Sequence, residues 1–428
     1  MTSRRDLLAA LGGVPLAAAW LPAQAQFRVE IAGVGLRQIP IAIAPFRGED
    51  RVPVAQSTLI RDNLRRSGLF APIDVVGDYD ERSVINPADW RVRGVDAVVT
   101  GSVMRLADGR LDVRFKVWDV VKGEELLGRS RLVLPADLRL TAHRISDTIY
   151  EALTGERGVF ATRIAYVIKA GTRYTLNITD ADGEGGQVAV TSPEPIISPV
   201  WSPDGGALAY VSFETQKAVV WVQEVATGRR QRVADFRGSN SAPAWSPDGQ
   251  QLAVALSREG LTQLFLVPRQ GGAARRLTSS PAIDTEPVFA PDGRSVYFVS
   301  DRSGGPQIYR VPVDGGNAER VTFSGGYNIS PAISPDGRQM AYVTRQGNAY
   351  RVALQDLAGG TVQVLTDTTD DESPSFAPNG RMLLYATRVD RRDVLMTSTL
   401  DGRIKTRLIT SGGDMREPTW GPFQREAP

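Results

Sequence analysis

Four aspartates recur at a fixed distance. Asp204, Asp248, Asp292 and Asp336 each sit between a proline and a glycine, and each lies 44 residues from the next. A carboxylate offered that often could serve acid–base chemistry, ligate a cation or shape a turn. The fifth copy carries Asn379, and the sixth, Gly421-Pro422-Phe423, has lost the residue altogether. Proline presets φ at one central turn position, and glycine accepts the positive φ that ends a tight hairpin. Turn chemistry therefore accounts for these aspartates without a reaction. The other candidates are sparse. His143 is the single histidine and falls on a predicted helix, where a structural role is expected. Thr179-Asp180-Ala181-Asp182-Gly183 resembles half a calcium loop, but no bidentate glutamate follows at the right distance. Asp370-Asp371-Glu372 is a run of carboxylates whose convergence on a substrate the sequence does not show. Gly33-Val34-Gly35 lacks the third glycine of a nucleotide loop, and there is no G-x-S-x-G, Walker or H-E-x-x-H motif. With no cysteine, disulfides and thiolate metal sites are excluded. The expectation is no catalytic residue, no metal and no cofactor.

The elements that carry these aspartates repeat as units. PVWSPDGGALAYVS begins at Pro199, PAWSPDGQQLAVAL at Pro243, PVFAPDGRSVYFVS at Pro287, PAISPDGRQMAYVT at Pro331 and PSFAPNGRMLLYAT at Pro374. A last fragment, PTWGPF, begins at Pro418. Such a period signals a propeller or solenoid. Short runs rich in β-branched and aromatic residues, bounded by Gly, Pro and Asp, exclude helical repeats. Each unit parses into four strands, in the first unit Pro199–Trp201, Leu208–Val211, Val219–Val225 and Arg230–Asp235. Four antiparallel strands per unit make a propeller blade. Ile164–Ile168 is a second strand without a first, and Pro418–Trp420 a first strand without a second. Together they complete a six-bladed ring that leaves no open edge.

Three segments follow: a cleaved signal at 1–25, an α/β domain at 26–157 and an all-β six-bladed propeller at 158–428. The start, MTSRRDLLAALGGVPLAAAWLPAQAQ, has a basic head, an apolar middle and the small-x-small site Ala23-Gln24-Ala25. Ser3-Arg4-Arg5-Asp6-Leu7-Leu8 resembles a twin-arginine motif, and an ordinary Sec signal is the alternative. Either route exports the chain, with no lipobox cysteine and no spanning helix to insert it in a membrane. In the second segment, Ile39–Ala44, Val95–Val103, Leu111–Val120 and Glu125–Leu134 are predicted strands. Val54–Ser67 is a predicted helix, and a second is capped by Asp137, runs to Leu153 and stops at Gly155. The whole chain has formal charge +2, so no nucleic-acid footprint is expected. The SPDG hairpins and the later glycine hairpins share one propeller face. The loops entering each first strand share the other, differ in every blade, and place Asp284, Glu286, Asp370, Asp371, Glu372, Asp414 and Glu417 there. Variation on a rigid scaffold is where recognition sits, and so many acids suggest an electronegative mouth.

ATRIAYVI at Ala161–Ile168, SPVWSPDGGALAYVSFE at Ser198–Glu214, NSAPAWSPDG at Asn240–Gly249, DTEPVFAPDG at Asp284–Gly293 and EALTGERGVF at Glu151–Phe160 carry a resemblance. With an α/β domain placed before the ring, the chain resembles the TolB family, periplasmic components of the Tol–Pal envelope system. The resemblance implies a noncatalytic monomer in the periplasm, supporting envelope integrity and constriction at cell division. It implies binding of the lipoprotein Pal, mimicked by colicin translocation segments, at Ser239, Asn240, Ala242, Thr285 and Glu286. The family pattern often has His where this chain has Ser239. It further implies that TolA binds the mature N-terminal segment Gln26, Phe27, Arg28, Val29, Glu30 and Ile31. The competing expectation is a propeller-gated hydrolase, which lacks a nucleophile elbow here.

Overall fold

The computed structural model describes residues 38–408 and 413–424; the signal segment and Gln26–Ile31 lie outside them. The first domain is one mixed sheet between helices. Strands β1 (Ile39–Ile43), β2 (Phe70–Ile73), β3 (Ala97–Arg105), β4 (Leu111–Asp119) and β5 (Glu124–Val133) lie in the order β2-β1-β3-β4-β5. The pairs made by β1 are parallel and the rest antiparallel. Helices α1 (Gln56–Arg66) and, after a short helix α2 (Pro87–Val92), α3 (Leu138–Thr154) complete the domain. Ile60 and Leu64 of α1 and Ile145 and Ile149 of α3 bury their stripes against Ile41, Ile43 and Phe115. The other sheet face packs Ala42 and Val98 against Trp90 of α2 and Ile85. The sequence reading omitted β2 and α2, a four-residue strand containing Pro72 and a six-residue helix. Both are too short for a periodic pattern. One detail is corrected: Asp137 does not cap α3 through its side chain. It ends a 3-10 turn, Pro135–Asp137, and its carbonyl accepts from the Thr141 hydroxyl at 2.8 Å. Gly155, at φ 75°, does end the helix.

The second domain is the six-bladed ring. Blade one comprises Ile196–Trp201, Ala207–Ser212, Val219–Glu224 and Arg230–Ala234, paired antiparallel from the channel outwards. Four more blades follow in the chain. Blade six joins both ends, as Asp414–Trp420 pairs with Arg163–Ala170 in the register Met415↔Ile168 and Trp420↔Ile164. Second strands are buried on both sides, as in Ala207–Ser212, because each blade is sandwiched between neighbours. The recurrent aspartates are turn residues. Asp204 accepts from the Ser202 hydroxyl (2.5 Å) and the Gly206 N–H (2.9 Å), and Asp336 does the same with Ser334 and Arg338. Each turn glycine stands against the turn proline of the preceding blade. A Cβ on Gly249 would meet Pro203, one on Gly293 would meet Pro247, and one on Gly205 would meet Pro422. The Gly-Pro of the truncated sixth copy thus keeps its place in the ring.

The first domain sits on this turn-bearing face, against blades five and six. Arg139 of α3 reaches Asp180 (3.0 Å), Asp182 and Glu184 (2.9 Å) on the outer hairpin of blade six. Glu156 pairs with Arg381 of blade five, and Arg157 stacks on Phe423. Asn379 accepts from the Arg381 N–H (3.1 Å) as an aspartate would, and its amide also donates to the Arg157 carbonyl at 3.1 Å. An amide does both where a carboxylate cannot, which explains Asn in a turn that touches the linker.

Candidate functional site: the channel mouth

The face opposite the first domain carries the loops that enter the inner strands. Each inner strand bulges at the residue before its leading proline. Ser198, Ala242, Glu286, Ser330, Ser373 and Glu417 all have φ between 47° and 55°. In every blade the pairing register shifts at this point. A bulge adds one residue and re-aims its side chain. A non-glycine residue at positive φ costs about 1–2 kcal/mol, repeated here six times. The bulge belongs to the scaffold; its side chain is what differs from blade to blade.

Three carboxylates stitch this ring. Glu286 of blade three accepts the Ser330 N–H of blade four at 2.6 Å. Glu417 of blade six accepts the Ser198 N–H of blade one at 3.3 Å. Glu372 of blade five lies near the backbone N–H of Glu417, which favours its charged form. Each carboxylate therefore stands against the bulge of the next blade, and all three are largely withdrawn from water. Burial raises the carboxyls of Glu286 and Glu372 above the usual range. Burial, then the charge of Glu372, pushes Glu417 up to about 7. The mouth is thus lined by acids that do not all ionise readily together.

The acids expected at this mouth divide in two. Asp284 is fully buried, and both its oxygens are held by Arg302 at 2.8 and 3.0 Å. Asp371 is also buried and accepts from Thr366 and Thr368. Neither is a surface charge, so of the seven acids expected to make the mouth electronegative these two do not. Asn240 and Asn328, two residues before their bulges, do similar loop-shaping work. Asn240 is fully buried, accepts the Phe236 N–H (2.8 Å) and donates to three carbonyls, including Ala218 (3.1 Å). It can act on a partner only by holding its loop.

Ser239 is exposed, its N–H given to the Ser257 hydroxyl at 2.8 Å. Ala242 and Glu286 occupy the same ring position in neighbouring blades, and Thr285, half-buried, precedes Glu286. The structure therefore brings Ser239, Ala242, Thr285 and Glu286 onto two adjacent blades of one face. Sequence reasoning missed the stitching role of Glu286, Glu372 and Glu417. For Glu286 and Glu417 the signal was present, as the residue before each leading proline reads Ser, Ala, Glu, Ser, Ser, Glu; Glu372 stands one residue earlier and breaks that pattern.

His143 is fully buried at the domain junction. Its Nε2 lies 3.5 Å from Asp180 and 3.6 Å from Asp182, the half calcium loop noted in the sequence. Among the described residues these three place ligand atoms within 4.8 Å of one another. The donor set does not suit a metal. Arg139 already donates to both aspartates. Arg66 donates to Asn63 Oδ1 (2.9 Å), so Asn63 turns its amino group to His143 Nδ1 (2.9 Å). Nδ1 then accepts and the ring proton sits on Nε2, facing the carboxylates. The cluster joins domains.

Similarity to known proteins agrees with this architecture. The family model described as the TolB amino-terminal domain matches residues 27–126, and that of the TolB beta propeller domain matches residues 150–424. The chain is 66% identical over 411 residues to the Tol-Pal system protein TolB of a Polaromonas species, covering 96% of each chain. It is 63% identical to the protein of the same description in Albidiferax ferrireducens, covering 100% of both. The crystal structure of TolB from Acinetobacter baumannii superposes with a TM-score of 0.84 at 38% identity, covering 90% of this chain and 97% of that one. Among the described residues no helix is long and apolar enough to cross a membrane. With both domains matched in order and relatives aligned from end to end, the chain belongs to the TolB family of Tol–Pal system proteins.

Proposed function

We propose that the protein is a noncatalytic periplasmic adaptor of the Tol–Pal system. The channel mouth binds Pal, with Ser239, Ala242, Thr285 and Glu286 at the contact and Asn240 holding the loop. The N-terminal segment Gln26–Ile31 engages TolA, and the two contacts link the outer membrane to the inner during envelope constriction. The observation that carries this reading is the division of the propeller faces. Among the described residues the first domain takes the turn-bearing face and leaves the six entering loops, different in every blade, uncovered. A hydrolase reading finds no support beside it. The chain's one histidine is shut between the domains with its ring nitrogens turned to Asn63 and the two aspartates. Titration calorimetry with purified Pal and TolA domains tests the adaptor. Wild-type protein is expected to bind both, and deletion of Gln26–Ile31 to abolish TolA binding alone. Absence of saturable binding to either partner would refute the adaptor.

A further inference from the structure

Beside the channel mouth, between blades four and five, lies a cavity of about 310 Å³. One wall is aromatic: Tyr327 and Tyr350 meet edge to face with ring centroids 5.7 Å apart. The same lining includes Glu372 and Thr387, whose Oε1 and hydroxyl have no hydrogen-bond partner. Thr387 is 2% exposed, so its hydroxyl is shut away from bulk water. Orphaned buried oxygens are rare and call for an explanation. Both can accept a hydrogen bond, so the complement of this cavity is a group rich in donors.

Charge narrows the choice. Arg388 and Arg416, both lining the cavity, are spent on one carboxylate: Arg388 donates to Asp393 Oδ1 at 2.8 Å and Arg416 pairs with Oδ2. Among the described residues no cation pairs with Asp371, which is satisfied by Thr366, Thr368 and the Val352 N–H. Glu372 and the exposed Asp370 at the rim remain, so carboxylates exceed guanidinium groups by two. We propose that this cavity receives a lysine or arginine side chain of the protein partner that docks on the channel-mouth face. The cationic head donates to Glu372 and Thr387, and its stem lies along the tyrosine rings, whose faces attract cations. Burial that now raises the Glu372 carboxyl is offset once a cation lies against it. The inference rests on the docking face proposed above and adds the chemistry of one anchor.

Calorimetry with the Pal domain, run on Glu372→Gln, Thr387→Val and, as a reference, Ala242→Val, tests it. Gln keeps an acceptor near the Glu417 N–H and turns an amino group into the cavity; Val keeps the shape of Thr and removes its hydroxyl. The expected result is at least tenfold weaker binding for Glu372→Gln and severalfold for Thr387→Val, with unchanged melting temperature for the latter. Wild-type affinity in a folded Thr387→Val protein and in Glu372→Gln, while Ala242→Val binds weakly, overturns the cavity and leaves the docking face standing. Should wild-type protein not bind Pal, the docking face fails, and Nα-acetyl-arginine amide probes the cavity alone. Saturable binding of that probe, lost in Glu372→Gln, supports a cation site; no binding overturns it.

Discussion

Replacing Glu417 with Gln should flatten the pH dependence of stability. The folded protein raises this carboxyl from 4.5 to about 7, through burial first and then the nearby Glu372 charge. The unfolded chain gives up the proton near 4.5, whereas the folded protein keeps it until near neutrality. Between those values the folded state binds more protons, so stability falls as pH rises through the window. Each tenfold gain in proton affinity corresponds to about 1.4 kcal/mol, so the full effect is of order 3 kcal/mol. Gln retains an acceptor for the Ser198 N–H and cannot ionise, so the variant lacks this contribution. Glu286 and Glu372, also raised, bend the curves of both proteins in the same direction, and the difference between curves reports Glu417 together with its repulsion from those two carboxylates. Urea unfolding at steps from about pH 5 to about pH 8 reads that difference. The wild type should lose roughly 2–3 kcal/mol relative to the variant across that range. Parallel curves would refute the idea that the ring holds a partly protonated acid at its seam.

The remaining predictions concern the scaffold. Deleting residues from Asp414 onwards removes the inner strand of blade six and bares Arg163–Ala170, so the sharp thermal transition should vanish; an unchanged, cooperative melt would disprove the ring closure. Arg139→Ala leaves Asp180 and Asp182 facing the junction without their guanidinium, at a cost of ~3 kcal/mol for a partly buried pair. It should split one calorimetric transition into two, and a single unshifted transition would show that the domains are held otherwise. Asn379→Asp restores the residue of the other turns but sets a carboxylate against the Arg157 carbonyl, so a loss of about 1–2 kcal/mol is expected in urea melts. Neutral or higher stability would remove the explanation given for that Asn.

Much of the architecture was legible because repetition makes it so. The 44-residue spacing, the SPDG turns and the two orphan strands, Ile164–Ile168 and Pro418–Trp420, together lead to a closed ring. The pairing of Met415 with Ile168 and Trp420 with Ile164 bears this out. In the first domain, strands and helices with clear periodicity were found within a residue or two, while β2 and α2 were too short to register. The site was legible only in part. Ser239, Ala242, Thr285 and Glu286 share a face because topology forces the entering loops together. Which acids face solvent is a matter of partners: Arg302 for Asp284, and Thr366 and Thr368 for Asp371, lie at least three residues away and come close only in the fold. His143 joining Asp180 and Asp182 across the domain boundary is likewise a long-range event with no local signature.

Which face of the propeller holds the partner is the central question, and Ala242 and Thr285 test it most directly. Both are half-buried at the mouth of adjacent blades, Ala242 on a bulge and Thr285 beside one. Ala242→Val and Thr285→Ile add aliphatic bulk there, and the second also removes a hydroxyl. A hot-spot loss of about 2 kcal/mol or more corresponds to roughly thirtyfold weaker binding. Calorimetric titration of the Pal domain into each variant, with a thermal melt of the same sample, should show that loss alongside a near wild-type melting temperature. Wild-type affinity in both folded variants would contradict a channel-mouth interface and put it elsewhere on the molecule.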